Sequence, residues 1–167
     1  CRNNRLAYLG LQQDQFTEAV QAASERYGSK RVAVFIGTST SGIAQTELAY
    51  RELSEGDEQL PAWYHYQGTH NSYSVAEFVR RALGLNGICH AVSTACSSSA
   101  KVFASAHRAL EAGLCDAVVV GGVDSLCLTT LYGFSSLQLV ASDICRPGDS
   151  ERQGLSIGEA AGFALLE

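Results

Sequence analysis

Apolar residues recur along this 167-residue chain in two rhythms, one near the helical period and one of short unbroken runs. Leu6, Leu9, Phe16, Val20 and Ala23 fall on one broad face, which predicts a helix over residues 6–27 closed by Gly28. Residues 31–36 are almost continuously apolar, the pattern of a strand buried on both faces. A Gly/Ser/Thr turn (37–42), a helix (43–53) and a loop holding the only tryptophan, Trp63 (55–68), follow. Val75, Phe78, Val79 and Leu83 place a helix at 74–83, and a short apolar run places a strand at 88–92. Beyond it the pattern predicts a helix at 97–112, a strand at 117–120, partly helical chain at 125–137, a polar loop at 140–156 and a last strand at 162–166. Strands alternating with helices predict an α/β fold with a mostly parallel sheet. Ala100, Phe103, Leu110 and Leu114, set among alanines, suit a helix buried on more than one side.

Cys96 lies in Ala91-Val92-Ser93-Thr94-Ala95-Cys96-Ser97-Ser98-Ser99-Ala100, where a strand ends and a helix opens. A helix N-terminus offers free N–H groups and the positive end of a dipole, which favour thiolate over thiol. Small neighbours leave the sulfur approachable, so Cys96 is the candidate nucleophile. A cysteine hydrolase with a hydrolase-type elbow needs glycine two residues either side of the nucleophile, and Thr94 and Ser98 stand there instead.

Composition narrows the function classes. Apolar residues make up 46% of the chain, enough for a packed core, and one domain over residues 1–167 is the natural count. A net charge of −5 speaks against nucleic acid, which wants a basic face. A local basic patch around Arg80 and Arg81, or at Lys101, could still meet an acidic partner. No apolar run reaches the roughly 20 residues of a membrane span, and the polar start is no signal peptide. Six cysteines without a regular framework suit a reduced, cytoplasmic chain. The absence of methionine suggests a fragment or a processed segment. The four histidines, His65, His70, His90 and His107, fit no metal-ligand spacing, so no metal or cofactor is expected. The 37–42 turn follows a buried strand and precedes a helix, as a phosphate cradle would, but lacks the phosphate-loop spacing.

Four stretches in order carry a family resemblance: Thr94-Ala95-Cys96-Ser97-Ser98-Ser99; Asp116 to Asp124 with Gly121-Gly122; Cys145-Arg146-Pro147-Gly148-Asp149; and Gly158-Glu159-Ala160-Ala161-Gly162. Together they resemble β-ketoacyl synthases, the condensing enzymes of fatty acid and polyketide synthesis. The resemblance implies one half of a thiolase-type layered fold, truncated at both ends, with a mixed, mostly parallel sheet and flanking helices. It implies that Cys96 accepts an acyl chain from an acyl carrier protein thioester before decarboxylative condensation with malonyl-carrier. It sets Thr40 at the gate of the acyl pocket and Phe134 near that pocket, although core packing is the competing role for Phe134. The family's two histidines, supporting lysine and second oxyanion donor belong to a second half, so this chain alone is expected not to condense. Partners implied are acyl carrier protein and either a second copy or the C-terminal half. The alternative is a non-catalytic thiolase-like subunit or scaffold that binds a partner or carrier. Asp143, Arg146, Asp149 and Arg152 are expected to form loop-fixing ion pairs, and Glu159 to be a structural support.

Overall fold

The computed structural model describes every residue except Asp57, which falls in the loop expected over residues 55–68. The chain runs α1 (Arg2–Leu11), α2 (Phe16–Tyr27), β1 (Val32–Gly37), α3 (Ile43–Arg51), a 3-10 turn (Tyr66–Gly68), α4 (Tyr73–Ala82), β2 (Cys89–Val92), α5 (Ser98–Glu111), β3 (Ala117–Asp124), α6 (Leu128–Ser136) and β4 (Ala160–Leu166). The sheet order is β2-β1-β3-β4. The first three strands are parallel and β4 joins antiparallel, so the sheet is mixed and mostly parallel as expected.

Strand alternation sorts β1 into two cores. Val32, Val34 and Ile36 point into one cluster with residues of α1, α2 and α4, among them Ala7, Val20, Val75 and Val79. Ala33 and Phe35 point the other way, onto Val102, Ala106 and Ala109 of α5. Burial on both faces explains the unbroken apolar run. β3 does the same with Val119 and Val118.

Two expectations are corrected, and a third, for α5, is met on one side only within this chain. The single helix over residues 6–27 is two helices, because Asp14 and Gln15 adopt left-handed φ of 52° and 58°. The polar run Gln12-Gln13-Asp14-Gln15 carries no apolar stripe to bury there. Thr17 then donates to the Leu11 carbonyl at 2.8 Å, closing the bend. Next, α5 buries one side only: Ser98, Val102, Ala106 and Ala109 face the sheet, while Ala100, Phe103 and Leu114 are exposed. Finally, the loop carboxylates do not pair with its arginines among the described residues. Asp143 and Asp149 accept backbone N–H bonds from Ile144 (2.7 Å) and Glu151 (2.8 Å), and Arg152 donates to the Asp149 carbonyl at 2.9 Å. A neighbouring N–H costs no side-chain ordering, so it wins over an exposed ion pair.

Candidate active site

The three parallel strands end together, with Gly37, Val92 and Asp124 at one edge of the sheet. Ligands of open α/β sheets bind beyond the carboxyl ends of the strands. Two turns sit there: residues 93–97, between β2 and α5, and residues 38–42, between β1 and α3.

The first turn carries Cys96, which is exposed. Ala95 before it has φ 53°, a left-handed conformation that L-residues avoid. Ser98 Oγ accepts from the Thr94 N–H at 2.9 Å and donates to the Ala95 carbonyl at 2.6 Å. Ser97 Oγ donates to the Thr94 carbonyl at 2.9 Å and lies 3.1 Å from Thr94 Oγ1. Ser97 caps α5, so Cys96 stands just ahead of its first turn. Cys115 and Cys127 are buried, and burial pushes the Cys89 and Cys115 thiols up. Cys96 and Cys1 are the two exposed thiols.

Glycine lets α5 reach this edge. A Cβ on Gly37 would stand 2.5 Å from the Ser98 carbonyl carbon, and one on Gly122 would stand 2.1 Å from Ser99 Oγ. A side chain at position 37 would meet α5 backbone and lift the helix start, and with it Cys96, off the sheet, whereas one at position 122 would meet the Ser99 side chain.

The second turn is organised by Asp124. Its Oδ1 accepts from the Ser39 and Thr40 N–H groups (2.7 and 2.8 Å) and from the Thr38 and Thr40 hydroxyls (2.9 and 3.0 Å). Its Oδ2 accepts from Ser39 Oγ at 2.9 Å. The N–H groups that a phosphate would need are therefore taken by a carboxylate, which removes the phosphate-cradle reading. Thr40 is buried, and its hydroxyl also accepts from the Ser125 N–H at 3.1 Å. Thr40 and Cys96 thus share one sheet edge, on separate turns. Phe134 is half-buried on α6, apart from both core clusters. Glu47 of α3 ties α6 down, accepting from the Leu128 and Thr129 N–H groups at 3.0 and 2.7 Å. Burial pushes the Glu47 carboxyl up, but these bonds and Arg51 hold it below its ordinary range.

An open cavity of about 330 Å³ lies behind the turns, lined by Ser99, Gly122, Asp124, Gly158 and Glu159. Glu159 lines it and is fixed there, in a two-pronged pair with Arg2 (2.6 and 2.7 Å) and accepting from the Leu126 N–H at 3.0 Å. These bonds hold its carboxyl below the ordinary range. The histidines go elsewhere. His70 Nδ1 lies 2.7 Å from Thr46 Oγ1, His90 meets Phe35 edge-on at 5.7 Å, and His107 is exposed on α5. Glu77 holds both Arg80 and Arg81, so one carboxylate offsets one of the two charges of the basic patch expected there.

Sequence reasoning missed Glu47 and saw Ser98 and Asp124 only as parts of motifs. An acidic residue ending an apolar strand, followed by no lysine or arginine within reach, was the available signal for Asp124: such a carboxylate must find N–H donors.

Residues 4–167 match the family described as "Beta-ketoacyl synthase, N-terminal domain". Nodulation protein E of Rhizobium meliloti is 34% identical over 147 residues, covering 82% of this chain and 34% of its own length. The 3-oxoacyl-[acyl-carrier-protein] synthase 2 of Rhizobium meliloti (strain 1021) is 35% identical over 91 residues, or 50% of this chain. Among solved structures, the ketosynthase ApeO of Xenorhabdus doucetiae, in complex with its chain length factor ApeC, superposes with a TM-score of 0.82 at 37% identity, covering 98% of this chain and 41% of that one. The chain spans about a third of the length of the curated relatives it matches.

Proposed function

Because the chain belongs to the β-ketoacyl synthase family, as its N-terminal domain, we propose that it supplies the nucleophilic half of an acyl-transferring, carbon–carbon bond-forming site. The observation that carries this reading is an exposed cysteine on a clamped turn at the carboxyl edge of the sheet, ahead of a 14-residue helix. The Cys96 thiolate attacks the carbonyl carbon of an acyl thioester on a carrier protein. The carbon–sulfur bond to the carrier breaks, the carrier leaves as a thiolate that takes a proton from water, and the acyl group rests on Cys96. A malonyl thioester then loses carbon dioxide, its carbanion attacks the acyl carbon, and Cys96 departs as thiolate. Oxyanion charge in both steps wants preorganised N–H donors, each worth about 3 kcal/mol, and the Cys96 N–H is the donor this half supplies.

Decarboxylation needs groups that would come from a C-terminal half, so residues 1–167 alone do not condense. The exposed side of α5, with Ala100, Phe103 and His107, is where that half packs. Thr40 borders the acyl chain, and Phe134 reaches the same pocket from α6. A protein partner fits this reading, as ApeO is found in complex with its chain length factor. The substrate class is acyl and malonyl thioesters of acyl carrier protein.

The test is C96S and C96A in the full-length protein, with an acyl-carrier thioester as donor. Loss of radiolabelled acyl transfer to the protein supports the assignment; transfer at the wild-type rate overturns it. Iodoacetamide mapping, peptide by peptide, adds a second check: Cys96 labels ahead of the other five cysteines.

A further inference from the structure

Cys96 is exposed because the chain turns sharply at Ala95, and that turn is unfavourable for alanine. Its φ of 53° is left-handed, which costs free energy wherever a Cβ is present. Such a conformation persists only where neighbouring structure over-determines it. Ser98 provides that restraint. Its hydroxyl uses both of its capacities on the turn, accepting from the Thr94 N–H (2.9 Å) and donating to the Ala95 carbonyl (2.6 Å). Ser98 is 1% exposed, so water reaches these bonds only from the side of Thr94 and Ala95. Ser97, which also bonds Thr94, is exposed and lacks that protection. The Ser98 backbone is itself seated on Gly37 of β1, where even a methyl group would collide with it. A fixed point on the sheet thus reaches, through one hydroxyl, the Ser93–Thr94 and Ala95–Cys96 peptides, and the Ser98 N–H adds a bond to the same Ala95 carbonyl at 3.0 Å.

We propose that Ser98 is a positioning residue for the Cys96 nucleophile, its buried hydroxyl holding the left-handed turn at Ala95 that keeps the thiol presented. This rests on the assignment of Cys96 as the nucleophile. The chemistry required is a donor and an acceptor on one short side chain, which serine has and alanine lacks. Glycine at position 95 adopts the left-handed region freely, so it removes the need for the clamp.

The experiment compares wild type with S98A, A95G and S98A/A95G in the full-length protein. It reads the iodoacetamide labelling rate of each cysteine and the kcat and KM of acyl transfer. S98A slows Cys96 labelling and lowers kcat by about tenfold, the loss expected for two buried hydrogen bonds, while KM and Cys1 labelling stay within about twofold. A95G placed on S98A restores most of the lost labelling, which a purely structural role of Ser98 would not allow. Cys96 labelling in S98A within twofold of wild type overturns the proposal. So does a double variant as slow as S98A alone. Labelling of the buried Cys115 and Cys127 in S98A also overturns it, since Ser98 would then hold the fold and not the turn. C96S keeps the two assignments apart. If C96S abolishes transfer and S98A is silent, this proposal alone fails; if C96S still transfers, the nucleophile assignment fails with it.

Discussion

The carboxyl edge of β1 and β3 and the segment from α6 to residue 156 both carry residues expected at the acyl site, yet they are held in opposite ways. At the sheet edge every turn is tied down: Asp124 collects five bonds from residues 38–40, Ser98 clamps residues 94 and 95, and glycines bring backbone against backbone. The α6 segment is anchored at its start by Glu47, and its loop by two backbone bonds between residues 139–141 and Leu155. It leaves Tyr132, Leu137 and Ile144 exposed at 70%, 66% and 79%. The turn that carries Cys96 is therefore fixed by contacts within this chain, whereas the surface around Phe134 leaves large apolar side chains open.

Breaking the ordered edge should have the largest effect. Gly37→Ala forces a methyl group into the Ser98 backbone, and overpacking of this kind costs about 3 kcal/mol. Urea denaturation is the check, and a loss below about 0.5 kcal/mol would mean that α5 can back away freely. Asp124→Ala leaves the buried Thr38 and Thr40 hydroxyls without their shared acceptor, at about 2 kcal/mol. Product chain length should broaden in the same variant, read by mass spectrometry of the acyl products. An unchanged product distribution would detach Thr40 from the pocket.

Acid sharpens the contrast from behind β2. Hydrogen bonds and charge from Arg80 and Arg81 hold the Glu77 carboxyl down to about 2, against the opposing effect of burial. A folded value below the unfolded one contributes stability that is complete above the ordinary value of 4.5 and is lost as pH falls towards 2. Thermal melts between those limits should show this loss in wild type and a shallower one in E77Q, which is weaker at neutral pH by about 1 kcal/mol. Equal slopes would remove Glu77 from the acid response. The smallest change belongs to the open region. Ile144→Ser and Leu137→Ser should alter stability by less than about 0.5 kcal/mol while reducing any concentration-dependent association seen by light scattering. Association that survives both substitutions would place the contact elsewhere.

Much of the fold was legible in the chain. β1 and α3 to α5 lie within one or two residues of their expected bounds, because unbroken apolar runs and 3.6-residue stripes report burial directly. β3 runs on through Gly121 and Gly122 to Asp124, beyond the expected end at residue 120, because pairing with Phe163 and Gly162 of β4 carries the strand through residues of low strand preference. The split between α1 and α2 was hidden by apolar positions that stay in phase across a polar break. The second burial expected for α5 is not made within this chain, since an alanine-rich stripe looks alike whether or not a partner covers it.

The amino-acid sequence by itself determined the α/β alternation, the place of Cys96 at a strand–helix junction and the family to which those flanks belong, since each depends on residues near one another in the chain. Only the tertiary structure decided that Asp124 fills the 38–40 turn, that Ser98 clamps Ala95 and that Gly37 seats α5. Those contacts join residues 61 to 86 positions apart or depend on a backbone angle, and hydrogen-bond partners are chosen by distance in space, on which local pattern is silent.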